Sequence, residues 1–469
     1  MLLMASLVPI SRATRVLTRP VPAVMIRTRS IRATATAEVA APAAEEEDHV
    51  VQSEFLKTMQ WRGFMQQTTD IKSLDDELKT GCVVAYLGFD ATASSLHVGS
   101  LLQIMLLRHF QQCGHKPIVL VGGGTTKVGD PSGKDASRQL LTQEKIDENI
   151  AGISQVFEKF LTFGDGETDA VLINNDEWLS SLQYLAFLRD YGRHFTINRM
   201  LSFESVKQRL ERESPLSFLE FNYMILQAYD FLELSRRKDV KLQFGGSDQW
   251  GNIVNGVELT RRCDQKQVFG FTAPLLTTSD GKKMGKTADG AVWLNEDLLS
   301  PFEYWQFWRN TADADVGRFL RIFTELPQER ITELESLQGA SINEAKAILA
   351  DEATRMLHGA GCLDTIRETA AALFSGKAAA TDTSALPRVI VSAAEVEGGL
   401  QVIDLFIRLE FGKSKGEVKR LVSGGGARLN DAKIEDAALE VSVADFAEDS
   451  RELKISSGKK KHGIVELVD

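Results

Sequence analysis

The feature that most constrains this chain is a strand–helix–strand pattern with chemistry at the end of each strand. Residues 82–89, Cys-Val-Val-Ala-Tyr-Leu-Gly-Phe, read as a short buried strand, and Pro117-Ile118-Val119-Leu120-Val121 reads as a second. Between them, Leu102, Met105, Leu106 and Phe110 recur at helical spacing until Gly114 stops the run. Two such strands joined by one helix predict a βαβ unit in a doubly wound parallel sheet of the α/β class. Sheets of this kind bind ligands in the crevice at the carboxyl ends of their strands. The first loop ends in His97-Val98-Gly99-Ser100 at the helix start, and the second runs from Gly122-Gly123-Gly124 to Gly133-Lys134. Glycines admit phosphate close to backbone amides, and a helix N-terminus adds a favourable dipole.

Two common phosphate motifs are excluded. A P-loop ending at Gly133-Lys134 needs Gly where Val128 stands and Ser or Thr where Asp135 stands. No GxGxxG opens either helix, which leaves a dinucleotide site unsupported. Composition narrows the class further. With 65 acidic and 54 basic residues the net charge is −11, which argues against indiscriminate nucleic-acid binding but not against a local basic patch. No stretch reaches the roughly 18 apolar residues that a membrane span needs. The four cysteines, Cys82, Cys113, Cys263 and Cys362, are dispersed, form no CxxC pair and read as reduced core residues. No metal site is expected from such spacing.

A second pattern lies near Asn222. Tyr223, Gln227 and Asp230 are spaced four and three apart, so they share one helix face among Met224, Leu226 and Phe231. That face is either a polar pocket in an apolar setting or the solvent side of the helix.

His97-Val98-Gly99-Ser100 resembles the first signature of class I aminoacyl-tRNA synthetases, usually His-Ile-Gly-His, and Lys283-Met284-Gly285-Lys286-Thr287 resembles the second, Lys-Met-Ser-Lys-Ser. The pair in this order, with the first on a βαβ crossover, is far more specific than either alone. The resemblance narrows to the tyrosyl-tRNA synthetases of bacterial and organellar type on four segments: Tyr86–Asp90, Gly129–Lys134, Glu220–Asp230 and Gly245–Asn252. It implies a Rossmann-like catalytic domain that uses ATP with Mg²⁺, L-tyrosine and tRNA(Tyr), a helical anticodon-side domain, a small α+β RNA-binding C-terminal domain and a homodimer.

Position by position, the resemblance implies that Tyr86 and Asp230 take the phenolic hydroxyl, while Tyr223, Gln227 and Asp130 surround the ammonium group. Asp90 and Gln249 complete the tyrosine pocket. Gly246 and Asp248 would contact the ribose, with Gly88, Gly99, Ser100 and Met284 in the nucleotide set. Thr92 and His97 would meet the terminal phosphate under Lys283, Lys286 and Thr287, and Lys134 and Arg138 would bind pyrophosphate. The chemistry then needs no covalent nucleophile, only positioning and charge stabilisation. Rejecting phenylalanine follows from polar groups left unpaired without the hydroxyl, a rule for which this enzyme family is itself the standard example. The chain departs from the pattern at Ser100, too short and uncharged to replace a histidine, and at Gly285, which loses a hydroxyl.

Two other readings are weighed. A tryptophanyl enzyme shares fold and signatures, but Tyr86 with the Tyr223/Gln227/Asp230 set argues against it. An RNA-binding protein on a synthetase scaffold with catalysis lost is opposed by the retained Asp130, Asp230, Gln249, His97 and dilysine set.

The ends of the chain differ from its middle. The first 37 residues hold six arginines and no acid, the composition of an organellar transit peptide; a mitochondrial matrix location is expected, with plastid or dual targeting as the alternative. Expected boundaries are 1–45 for this signal and linker, 46–275 for the catalytic domain, 276–377 for the dilysine loop and helical domain, 378–399 for a linker and 400–469 for the C-terminal domain. Residues 135–221, with Asp190–Phe195, resemble a dimerisation insertion. In the C-terminal domain one basic cluster holds Lys413, Lys415, Lys419, Arg420 and Arg428, and a second Lys459, Lys460 and Lys461, both suited to RNA phosphates.

Overall fold

The computed structural model describes residues 49–132, 140–281, 284–285, 290–375, 383, 386–447, 449–458 and 461–469. The chain divides after His49, and the elements below all lie in Val50–Asp469. The segment expected to be a targeting signal and linker, 1–45, lies outside the described residues.

Helices α1 (Glu54–Arg62) and α2 (Ile71–Leu78) flank the short strand β1 (Gln67–Thr68). Next come β2 (Val84–Phe89), α3 (Val98–Gln112) and β3 (Lys116–Val121), with β2 and β3 parallel as the sequence pattern requires. Helix α4 (Gln143–Phe160) leads to β4 (Val171–Asn174), and the short helices α5 (Asp176–Leu179), α6 (Tyr184–Asp190), α7 (Ile197–Ser202) and α8 (Glu204–Glu211) follow. Then α9 (Phe218–Lys238), β5 (Leu242–Gly246), α10 (Trp250–Asp264) and β6 (Phe269–Ala273) complete the catalytic part.

The sheet order is β1-β6-β5-β2-β3-β4, parallel throughout except for β1 at the edge. After β2 the chain builds outward through β3 and β4, then returns to the other side of β2 as β5. The order thus reverses between β2 and β5, the place where an open parallel sheet leaves a crevice at its carboxyl ends.

Helix α3 is apolar on more than the expected stripe. Leu101, Ile104 and Leu107 are buried along with Leu102, Met105, Leu106 and Phe110. A helix buried on several faces must be covered on several sides. The second cover is the helical region α11 (Pro301–Arg309), α12 (Val316–Phe323), α13 (Gln328–Glu335), α14 (Ile342–His358) and α15 (Leu363–Ser375), built around Trp308, Phe319 and Phe323. Polar ties fix it in place. The Arg62 guanidinium donates to the carbonyls of Arg321, Thr324 and Leu326 at the end of α12. Arg108 on α3 grips Glu325 with two nitrogens, at 2.6 and 3.0 Å.

The C-terminal part corrects one expected boundary. Residues 378–399 are not all linker: β7 (Arg388–Ser392) pairs in parallel with the last strand, and α16 (Ala393–Glu397) follows it. This strand lies at the sheet edge with Val391 buried and Ile390 62% exposed, so its sequence carries little of the alternation that marks a half-buried strand. The unit continues through α17 (Val402–Arg408), α18 (Lys415–Ser423), β8 (Ala427–Leu429), β9 (Ala432–Lys433), β10 (Glu452–Ser457) and β11 (Lys461–Val468), in the order β7-β11-β10-β8-β9. Its own core includes Leu405, Phe406, Val418, Leu453 and Val465.

The cysteines need a second correction. All four are free but only half-buried. Cys113 caps α3. No helix among the described residues is long and apolar enough to cross a membrane.

Candidate active site

The carboxyl ends of β2 and β5 open into a cleft of about 520 Å³. Most of the residues singled out in the sequence line it. Tyr86, Gly88 and Asp90 come from β2 and its loop, followed by Thr92, His97 and Ser100 at the start of α3. Asp130 reaches in from the loop after β3, Tyr223, Gln227 and Asp230 from α9, and Gly246, Asp248 and Gln249 from the turn after β5. The polar face of α9 is therefore a pocket wall, not a solvent face.

The deep end holds Tyr86 and Asp230. Tyr86 is 1% exposed, and its hydroxyl is buried without a hydrogen-bond partner. Burial pushes its phenol pKa well up, with the Asp230 carboxylate adding to the shift. Asp230 accepts from Asn175 Nδ2 at 2.9 Å and from Trp178 Nε1 at 2.8 Å. Burial raises its pKa to about 7, against the pull of those two donors. Each carboxylate oxygen still has a lone pair for a further donor. An orphaned hydroxyl and a carboxylate, both buried in the cleft, suit a guest that brings one hydroxyl.

Midway, two linked networks set the polar wall. Asp90 accepts from Thr125 Oγ1 at 2.8 Å and from the Tyr223 hydroxyl at 3.1 Å. Burial, then Asp90 itself, drives the Tyr223 phenol pKa well up. Asp130 accepts from Ser132 N and from Gln249 Nε2, both at 2.9 Å. Asn252 Nδ2 then ties Gln249 Oε1 to Gln227 Oε1, each at 3.0 Å. These acceptor-rich groups line the same cleft, which suits a cationic donor such as an ammonium group.

At the mouth, His97 caps α3. Its Nδ1 accepts from Gly99 N at 3.0 Å, so the ring carries its proton on Nε2. A short antiparallel bridge joins His97 to Trp293, with Val98 N donating to Val292 O at 2.9 Å. This bridge brings the stem of the second signature against the first.

Two members of the nucleotide set do not line the cleft. Met284 turns its side chain into the core, 6% exposed, because its apolar side chain fills space against the helical region. Gly99 lies behind His97, in contact with Met284 and Gly285. Lys134, Arg138, Lys283, Lys286 and Thr287 lie outside the described residues, as do Lys459 and Lys460.

In the C-terminal part Lys413, Lys415, Lys419, Arg420 and Arg428 are exposed, and Lys415 also pairs with Asp404 at 2.7 Å. Lys461 is half-buried and shares a cavity lining with Glu303 and Glu410. It stands among carboxylates of the same cavity, an environment that favours a structural ion pair over an open phosphate contact.

Sequence reasoning missed Asn175, Trp178, Thr125 and Asn252, all of which hold the named residues in place. A signal existed for Asn175: the polar run Asn174-Asn175-Asp176 begins on the last residue of β4, at the carboxyl end of the sheet. Trp178 and Asn252 look like ordinary helix residues in the sequence.

Residues 78–375 match the family of class I tRNA synthetases for tryptophan and tyrosine. The chain is 59% identical over 416 residues to a tyrosine–tRNA ligase of Caulobacter vibrioides, covering 89% of this chain and 98% of that one. It is 58% identical over 416 residues to a tyrosine–tRNA ligase of Rhodospirillum rubrum, again covering 89% and 98%. Among solved structures, a C-terminally truncated mitochondrial tyrosyl-tRNA synthetase of Aspergillus nidulans superposes with a TM-score of 0.62 at 31% identity, over 69% of this chain and 95% of that one. With the signature segments, the switch-point cleft and these matches together, the chain belongs to the class I aminoacyl-tRNA synthetases, in the tyrosine–tRNA ligase family.

Proposed function

We propose that the cleft activates tyrosine with ATP and that the chain then transfers the tyrosyl group to the 3′ end of tRNA(Tyr). In the first step a carboxylate oxygen of tyrosine attacks the α-phosphorus of ATP, the bond to the bridging oxygen breaks, and pyrophosphate leaves. The observation that carries this reading is the buried Tyr86–Asp230 pair at the floor of a cleft whose mouth holds His97.

In this reading the phenol donates to Asp230 and meets the Tyr86 hydroxyl, while Asp130, Tyr223 and Gln227 take the ammonium group. Asp90 and Gln249 act by orienting those groups through the hydrogen bonds described above. With the amino acid fixed at both ends, its carboxylate points toward the mouth, where the cost of bringing reactants together is already met. His97, neutral with Nε2–H as donor, and Thr92 hydrogen-bond the triphosphate. Gly246 and Asp248 face the ribose, and Gly88 and Ser100 line the same side. By their resemblance to the family pattern, Lys134, Arg138, Lys283 and Lys286 would supply positive charge to the departing pyrophosphate and Thr287 a hydroxyl donor. Mg²⁺ accompanies the triphosphate and neutralises its charge, and no residue of this chain is assigned to hold it.

The acceptor for the exposed cations Lys413, Lys419, Arg420 and Arg428 is the phosphate backbone of tRNA. A homodimer is supported by exposed apolar side chains on and beside α6–α9, among them Leu185 at 78%, Ile197 at 59% and Phe218 at 68% exposure. The arginine-rich, acid-free start of the chain supports import into mitochondria.

The test is ATP–pyrophosphate exchange with each of the twenty amino acids, on the full chain and on one lacking its first ~40 residues. Exchange that depends on tyrosine alone is expected. Exchange driven by tryptophan, or none, would overturn the proposal.

A further inference from the structure

Gly99 and Gly285, one from each signature segment, meet backbone to backbone. A Cβ added at Gly285 would stand 2.6 Å from Gly99 N and 3.1 Å from His97 Nδ1. One added at Gly99 would stand 2.6 Å from His97 Cε1, 2.8 Å from His97 Nδ1 and 3.2 Å from the Met284 carbonyl oxygen. Real Cβ atoms do not approach ring or backbone atoms that closely, so the His97 imidazole occupies space that two glycines keep open. Gly285 also has φ +92°, a conformation other residues resist.

Hydrogen bonds hold this arrangement from behind. Met284 N donates to Leu276 O and Val292 N to Gly285 O, both at 3.0 Å, while Val98 N donates to Val292 O at 2.9 Å. Val292 thus links the Gly285 carbonyl to the turn carrying His97, while Met284, on the other side of Gly285, is anchored to Leu276 beyond β6.

We propose that Gly285 is a positioning residue for His97: by packing on Gly99 without a side chain, it keeps the imidazole on the Gly99 amide with Nε2–H aimed into the cleft. This rests on reading the cleft as the site of tyrosine activation. Gly285 touches no reacting atom; its effect passes through the ring.

The test uses the full chain with Gly285→Ala and Gly285→Asn, alone and combined with His97→Ala, in tyrosine-dependent ATP–pyrophosphate exchange. Each single variant is expected to lower kcat on the order of 100-fold, as a misplaced group does. The KM for tyrosine is expected to stay within about twofold, because the tyrosine contacts lie elsewhere in the cleft. In the His97→Ala background the same changes are expected to cost less than about threefold, since coupled residues are not additive. A full loss in that background would overturn the proposal, as the damage would then not pass through His97. Wild-type rates for Gly285→Asn would also overturn it, because asparagine accepts positive φ yet carries the offending Cβ. A readout independent of activity is the ¹⁵N spectrum of histidine-labelled protein. His97 should be the Nε2–H tautomer in the wild-type chain and a mixture in Gly285→Ala, and an unchanged tautomer would refute the positioning role. If the wild-type chain shows no tyrosine-dependent exchange, the activation reading fails by itself and the tautomer measurement still decides the positioning one.

Discussion

Replacing Asp230 by Asn isolates the contact on which tyrosine selection depends. The carboxylate accepts from Asn175 Nδ2 at 2.9 Å and from Trp178 Nε1 at 2.8 Å, one donor on each oxygen. An amide of the same shape keeps one acceptor oxygen and turns an NH₂ toward the other position. One of the two protein donors is then faced by another donor, which should cost about 1–3 kcal/mol of folding stability. For the substrate, a hydroxyl bonded to a charged acceptor contributes about 1.5–3 kcal/mol, so its loss corresponds to roughly 10- to 150-fold in kcat/KM for tyrosine. Phenylalanine has no hydroxyl to lose and should be affected far less, so the tyrosine-to-phenylalanine ratio should fall by nearly the whole factor. ATP–pyrophosphate exchange with both amino acids measures it, with thermal unfolding as the control for folding. A folded Asp230→Asn protein with an unchanged ratio would refute the placement of the phenol at Asp230.

Because the folded-state pKa of Asp230 is raised to about 7 from an unfolded value near 3.8, the free protein should be most stable in this respect below about pH 4 and lose stability as pH rises through about 7. Unfolding of the wild type and of Asp230→Asn across pH 4–8 should show that slope only in the wild type; equal slopes would remove Asp230 as its source. Asn252→Ala breaks the link between Gln249 and Gln227 and should raise the KM for tyrosine on the order of tenfold with a smaller change in KM for ATP; the reverse pattern would move this network out of the amino-acid subsite. Arg108→Ala leaves the half-buried Glu325 without its two-nitrogen partner and should cost about 1–3 kcal/mol in denaturant unfolding, and no measurable loss would show that the grip on the helical region is idle. Changing Lys413, Lys419 and Arg420 together to Ala should weaken tRNA binding and lower its salt slope by about three while leaving exchange intact; an unaltered slope would place the RNA contact elsewhere.

What the linear chain determined by itself was the local chemistry and its rough position. Periodicity in 82–121 was enough for the parallel unit, since strand and helix patterns there are short, apolar and separated at Gly114. The face shared by Tyr223, Gln227 and Asp230 follows from helix geometry alone, but whether it met water or a pocket depended on α9 packing on β2, where Phe231 meets Tyr86. Only the folded arrangement could decide that, and it also decided that Asn175 and Trp178, more than fifty residues before Asp230, are what hold its carboxylate. The strand 388–392 escaped notice because an edge strand buries little and so leaves little alternation in its sequence. The contact of Gly99 with Gly285 was equally invisible, because a glycine in a signature reads as missing chemistry. Tertiary packing turns it into reserved space, and space between distant segments is a property no stretch of sequence carries.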